Sequence, residues 1–182
     1  MRRSHRSLIA SLLLVAAIAA APGHATTMLP RSVEDLARAS AHVVRATTIS
    51  THAAWDAQRR IVTTVRLRAI ESLSGRIAAG TEFEVQHLGG IVDGIEMTVI
   101  GAPEFPIGEE VVLFLAPNGR GSLETVSLAQ GKLEVIRDAA GRERLTRRDL
   151  EAVEWARGEG PERVRDLGTL RTRVSDALRS AR

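Results

Sequence analysis

The stretch that most constrains the fold runs from Phe83 to Leu115, FEVQHLGGIVDGIEMTVIGAPEFPIGEEVVLFL. Two apolar runs, Phe83–Leu88 and Val111–Leu115, bracket an insert in which Gly89, Gly90, Gly94, Gly101, Pro103, Pro106 and Gly108 forbid a sustained helix. Phe83, Val85 and His87 alternate with Glu82, Glu84 and Gln86, the period of a strand with one solvated face. Val111 to Leu115 is uninterruptedly apolar and rich in β-branched and aromatic side chains, which suits a central strand buried on both faces. The chain therefore reads as mainly β, organised around this stretch.

Arg2, Arg3 and Arg6 precede an apolar run from Leu8 to Ala20, followed by Pro22, Gly23 and small residues through Ala25. This is the pattern of a secretory signal peptide over residues 1–25, cut after Ala25 or, as the alternative, Ala21. The run of 13 residues falls short of the ~20 that span a bilayer, so no integral membrane anchor is expected. The expected location is periplasmic or secreted. With no cysteine, the exported chain has neither disulfides nor a cysteine to acylate, and its stability must come from packing.

The formal charge of +3 is carried by the three leader arginines, and beyond them 22 basic side chains face 22 acidic ones. Residues 26–136 hold 10 basic against 13 acidic, and residues 137–182 hold 12 against 9. No uniformly basic face is expected, and three Phe, two Trp and no Tyr supply little base stacking, so nucleic acid is not an expected partner.

Ser32 and Asp35 suit the start of a two-turn helix through Ala39 whose Val33, Leu36 and Ala37 face inward. His42–Thr51 reads as the first strand, Thr51–Arg60 as a hairpin connection, and Ile61–Leu73 as a strand with Ile61, Thr63, Val65, Leu67 and Ala69 on one face. After Leu115, Asn118-Gly119 marks a turn. Strands follow near Leu123–Leu128 and Lys132–Ile136, and Asp138–Gly141 turns the chain again. Thr146 and Asp149 form a second capping-box pattern, predicting a helix through about Ala156 with Leu150 and Val153 buried. Beyond Gly158–Pro161, Val164, Leu167, Leu170, Val174 and Leu178 recur at three and four, the pattern of an amphipathic helix docked on the β-domain. The expected organisation is a signal peptide (1–25), a β-domain (26–136) and a helical C-terminal appendage (137–182).

This order of short helix, long hairpin, strand, Gly-rich excursion, buried strand and final hairpin resembles a five- to six-stranded Greek-key barrel of the OB type. The segments Ala41–Ala46, Trp55-Asp56, Ile61–Val65, Leu88–Gly90, Pro106–Leu115 and Leu128–Lys132 are similar to those of a family of exported bacterial proteins without established function. Some members of that family carry the module beside a metalloprotease domain. More remotely, Ala41–Ala46 and the hairpin after it are similar to the start of the netrin-like module of tissue inhibitors of metalloproteinases. Those inhibitors are implied to use an amino-terminal cysteine on zinc. Without a cysteine, this chain carries over the fold analogy and not that mechanism.

His42, His52 and His87 are the histidines beyond the leader, and they define the alternative reading of a metal-binding protein or metal-dependent hydrolase, although no pair has helical or knuckle spacing. Gly89–Gly94 lacks the Lys-Ser/Thr and following helix of a phosphate loop and reads as an excursion at a sheet edge. Glu109-Glu110 and Glu82/Glu84 read as exposed charge, and Gln130-Gly131-Lys132, which holds the sole lysine, as a turn glycine between solvated polar groups. No nucleophile elbow or cofactor motif is present, and no cofactor is expected. The function read from the sequence is therefore an exported, non-enzymatic binding module. Its expected partner is a protein such as an exported protease, and its expected surface is a groove bordered by Trp55, His87, Gly89, Gly90 and Asp93.

Overall fold

A computed structural model of the chain describes residues 27–150, 153–156 and 158–180. The expected signal peptide lies outside the described residues. In chain order, β1 is Thr27–Met28, α1 is Val33–Ala39, β2 is His42–Trp55, β3 is Ile61–Ser74 and β4 is Glu82–Leu88. Within the Gly-rich excursion come β5 (Gly90–Val92) and β6 (Ile95–Met97), then β7 (Glu110–Pro117) and β8 (Leu123–Thr125). The chain finishes with β9 (Lys132–Arg137), β10 (Glu143–Thr146), β11 (Glu154–Trp155) and α2 (Leu167–Arg179).

The protein is mainly β. Seven strands form one sheet in the order β10-β9-β7-β2-β3-β4-β8, and β8 pairs with β7 as well as with β4. Strands β2 and β3 pair antiparallel over their length, with register shifts between Val43/Val44, Arg45/Ala46 and Thr48/Ser50. Such bulges add twist and bend a long ribbon. Asp56 closes this hairpin, its Oδ1 accepting from the amides of Gln58 (2.9 Å) and Arg60 (2.8 Å).

Strand β7 sits where expected. It pairs with β2, β8 and β9, and Val111 to Leu115 are all fully buried. Its side chains alternate between two apolar clusters. Val111, Leu113 and Leu115 pack with Val44, Val65, Leu67, Val85 and Phe105. Val112 and Phe114 pack on the other side with Leu133, Val135 and the two helices. The predicted alternation of β3 and β4 also holds, with Val65, Leu67 and Val85 inward. Arg66 and Arg68 point outward to Glu84 and Glu82.

Helix α1 forms as expected, Ser32 Oγ accepting from the Asp35 amide at 3.1 Å. Helix α2 is capped by Asp166, whose Oδ1 accepts from the Thr169 amide at 2.7 Å. The helices pack together through Leu36, Ala37, Leu170, Val174 and Ala177, in the cluster that contains Phe114. Arg173 clamps Glu34 with Nε at 2.7 Å and Nη2 at 2.8 Å, and Arg171 holds Glu71 of β3 in the same way. Among the described residues no helix is long and apolar enough to cross a membrane.

The segment after Arg137 is not the purely helical appendage expected. Strand β10 joins the main sheet through β9, and its Leu145 belongs to the cluster of the two helices. Among the described residues of the span Thr146 to Ala156 the predicted helix is not present: Arg148–Leu150 make a single 3-10 turn and Glu154–Trp155 are extended, pairing with β1, while residues 151–152 lie outside the described residues. The physical reason is a competing partner for the capping acid. The Asp149 carboxylate accepts from Lys132 Nζ and the Glu104 amide, both at 3.0 Å, instead of serving a first helical turn. Strand β8 is also shorter than expected, because Ser127 and Leu128 adopt positive φ (57° each) and turn the chain into a 3-10 segment, Leu128–Gly131.

Two predictions follow from the helix layer. Leu170→Ala, at a side chain with no exposure, destabilises the fold by about 2–5 kcal/mol in urea unfolding, the range for emptying a buried leucine site. The hydrogen bonds from Arg173 hold the Glu34 carboxyl down at about 2, against an ordinary value of 4.5. A depressed folded value means stability that is present above about pH 4.5 and lost as pH falls towards 2. The melting-temperature gap between wild type and Glu34→Gln therefore narrows across that window.

Candidate functional site

Lys132, the sole lysine, opens β9 directly after the 3-10 turn. Pairing with Leu113 puts it on the β7 face that carries the Val111, Leu113 and Leu115 side chains, and its own side chain is 1% exposed. Its Nζ meets Glu109 at 3.0 Å, Glu134 at 3.2 Å and Asp149 at 3.0 Å, and lies 5.4 Å from the centre of the Phe105 ring. Phe105 in turn stacks on His87 at 5.9 Å between ring centres. A second cation joins from the rim, Arg148 bonding Glu109 through its guanidinium and Glu134 Oε2 through its backbone amide, the latter at 3.1 Å.

Burial alone would push the Lys132 amine down, but Asp149, Glu109 and Glu134 outweigh it and hold the amine above its ordinary range. The lysine is thus an ammonium at neutral pH, hydrogen-bonded to Asp149, within ion-pair distance of Glu109 and Glu134, and shielded by an aromatic ring. An amine in that state is neither a base nor a nucleophile. The arrangement is a fastener: it binds β9, the residue before β7, the 3-10 turn Arg148–Leu150 and the Phe105 loop to one point. Burial pushes the His87 imidazole below its ordinary value, which favours the neutral ring against Phe105.

The expected site residues divide between two places. Trp55 ends β2 opposite Ile61, 41% exposed. Gly90 starts β5 immediately over this hairpin, where φ is +132° and an added Cβ would lie 2.5 Å from Thr63 Oγ1 and 3.1 Å from the Ala53 methyl. Thr63 Oγ1 also donates to the Gly89 carbonyl at 2.6 Å. Asp93, with φ +52°, and Gly94 form the turn of the β5–β6 ribbon. Trp55, Gly89, Gly90 and Asp93 therefore belong to adjoining hairpins. His87 instead lies half-buried under Phe105 rather than along an open groove.

The three histidines of the alternative reading are not brought together. His42 and His52 lie at opposite ends of β2, ten residues apart, roughly 30 Å along a strand. His42 Nδ1 accepts from the Arg76 amide at 3.1 Å. His52 shares a row with Thr64 and Gln86, so His87, next to Gln86, faces the other side of the sheet.

Sequence reasoning missed the lysine centre. Glu109 is not exposed charge but 10% exposed against Lys132, and Gln130 and Lys132 are buried rather than solvated. The available signal was the lysine itself, alone among 25 basic side chains. The ribbon was also legible, since Asp-Gly between Val92 and Ile95 is a two-residue hairpin signal. The chain matches no family model and no curated protein.

Lys132→Met leaves three carboxylates facing one another without their central cation. It destabilises the protein by about 3–5 kcal/mol at pH 7 in denaturant unfolding, the cost of breaking a buried charge cluster. A variant as stable as wild type at pH 7 contradicts the fastener.

Proposed function

We propose that this chain is an exported, non-enzymatic protein-binding module on a five-stranded OB-like Greek-key barrel, acting in the periplasm or outside the cell. The ring of pairings β7-β2-β3-β4-β8, with β8 returning to β7, supports the barrel. The arginine-led apolar leader supports export. The resemblance to exported proteins that carry the module beside a metalloprotease makes an exported protease the first candidate partner.

The observation that carries the reading is the β5–β6 ribbon. Among the described strands it pairs with none outside itself. Ile91 pairs opposite Glu96, and Ile95 opposite Val92, so the two isoleucines project from opposite faces. Both are exposed, at 64% and 55%. A surface that is apolar on one face can lie flat on a partner. A ribbon with an exposed isoleucine on each face, one beside Val92 and the other beside Glu96, hides both only by entering a groove, with Trp55 beside its base.

The test is affinity capture from the native periplasmic extract with wild type and an Ile91→Asp/Ile95→Asp double variant. Wild type retains a partner at equal stoichiometry, and the variant binds it about tenfold or more weakly, the scale of losing interface anchors, while its melting curve is unchanged. Equal capture by a folded variant overturns the assignment.

A further inference from the structure

A second site lies away from the ribbon. Strand β10 and the segment 159–165 enclose a cleft of about 770 Å³. Its apolar lining comes from Leu133, Leu145, Leu150 and Val164, with Trp155 beside them. Its polar lining is cationic: Arg144, Arg147, Arg163 and Arg165 against one carboxylate, Glu159. Of these, Arg144 has an outside partner in Asp138 at 3.4 Å.

Arg147 is the unusual member. Its Nη1 donates to the Glu162 carbonyl at 3.0 Å, but its buried Nε and Nη2 have no hydrogen-bond partner among the described residues. Those two atoms form the edge of a guanidinium whose parallel N–H bonds match the two oxygens of a carboxylate. The same chain shows what that edge ordinarily meets. Arg171 presents Nε and Nη2 to Glu71 at 2.8 and 2.6 Å, and Arg173 presents them to Glu34 at 2.7 and 2.8 Å. The two nearby acids lie against other cations: Glu162 pairs with Arg173 at 2.8 Å, and Glu134 accepts from the Arg148 amide with Oε2 while its Oε1, 3.2 Å from Lys132 Nζ, makes no hydrogen bond of its own among the described residues. A buried donor pair left unmatched costs stability, and burial accordingly pushes the Arg147 guanidinium down to about 10.

We propose that this cleft binds a carboxylate carried on an apolar stem, with Arg147 as its bidentate anchor once its buried Nε–Nη2 edge turns towards the entering acid, and the Leu133, Leu145 and Trp155 walls receiving the stem. The chemistry is shared by a free aliphatic acid and by the C-terminal carboxylate of a peptide ending in an apolar residue. Arg163 and Arg165 supply the surrounding positive field that draws such an anion in. This site is independent of the ribbon and survives its failure.

The test is calorimetric titration of the full chain with hexanoate, hexanamide, and a short leucine-terminated peptide in free-acid and amidated forms. Hexanoate or the free-acid peptide binds saturably, and which of the two binds identifies the source. The matching amide binds about tenfold or more weakly, as does hexanoate or peptide to Arg147→Met, the scale for losing hydrogen bonds to a charged group. If Arg147→Met does not fold, the double variant Arg163→Gln/Arg165→Gln, altered at exposed side chains, is expected to weaken the acid severalfold and leave the amide unchanged. Glu159→Gln is expected to keep or strengthen binding. No saturable binding of either acid up to about 10 mM, a level that covers millimolar affinities, overturns the site. Equal affinity for acid and amide, or abolition of binding by Glu159→Gln, also overturns it.

Discussion

One buried ammonium ties together segments that are far apart in the chain. Taking an ion out of water costs several kcal/mol even after relaxation, and the expense is recovered only by partners with good geometry. Lys132 has three of them, drawn from β9 itself, from the residue before β7 and from the 3-10 turn after β10. Because these segments are distant in sequence, the charge can be satisfied only when the long Gly- and Pro-rich excursion, the sheet and the C-terminal region are all in place. The Phe105 ring closes the site and passes the contact on to His87 of β4. The β5–β6 ribbon starts at Gly90, three residues beyond His87.

The choice of cation follows the geometry of each site. Where one or two carboxylates approach in a plane, the chain uses arginine: Arg45 with Glu110 and Glu143, Arg171 with Glu71, Arg173 with Glu34. A planar fork meets such partners edge-on. Where three carboxylates converge on one point, the chain uses its single lysine, a compact charge whose three donors can serve separate acceptors. Around this centre the apolar packing is arranged in two layers that share β7, with helices on one side and the strands of the long hairpin on the other.

The architecture was legible wherever it rests on periodicity. The central, doubly buried β7, the alternating β3 and β4 and the Ser32-capped helix follow from spacing in the sequence and occur; the amphipathic α2 occurs as well, but it starts at Leu167 and leaves Val164 of the same apolar row outside it. The failures share a cause. Asp149 has the spacing of a helix cap, and Glu109 and Lys132 have the composition of a solvated surface, but each is claimed by a partner far along the chain. Local propensity carries no information about such long-range charge satisfaction. The same holds for His87, which alternates correctly into the inward face, while the ring that covers it comes from an excursion with no periodic signal. The isolation of Lys132 among so many arginines was the one local trace of the centre.

Because Lys132 is the sole lysine, its burial can be read directly by an amine-reactive label followed by intact-mass and peptide analysis. The account predicts that in the native protein only the terminal amine is modified, and that Lys132 is labelled once the chain is unfolded in denaturant. Labelling of Lys132 in the native state at the rate seen in denaturant would contradict it.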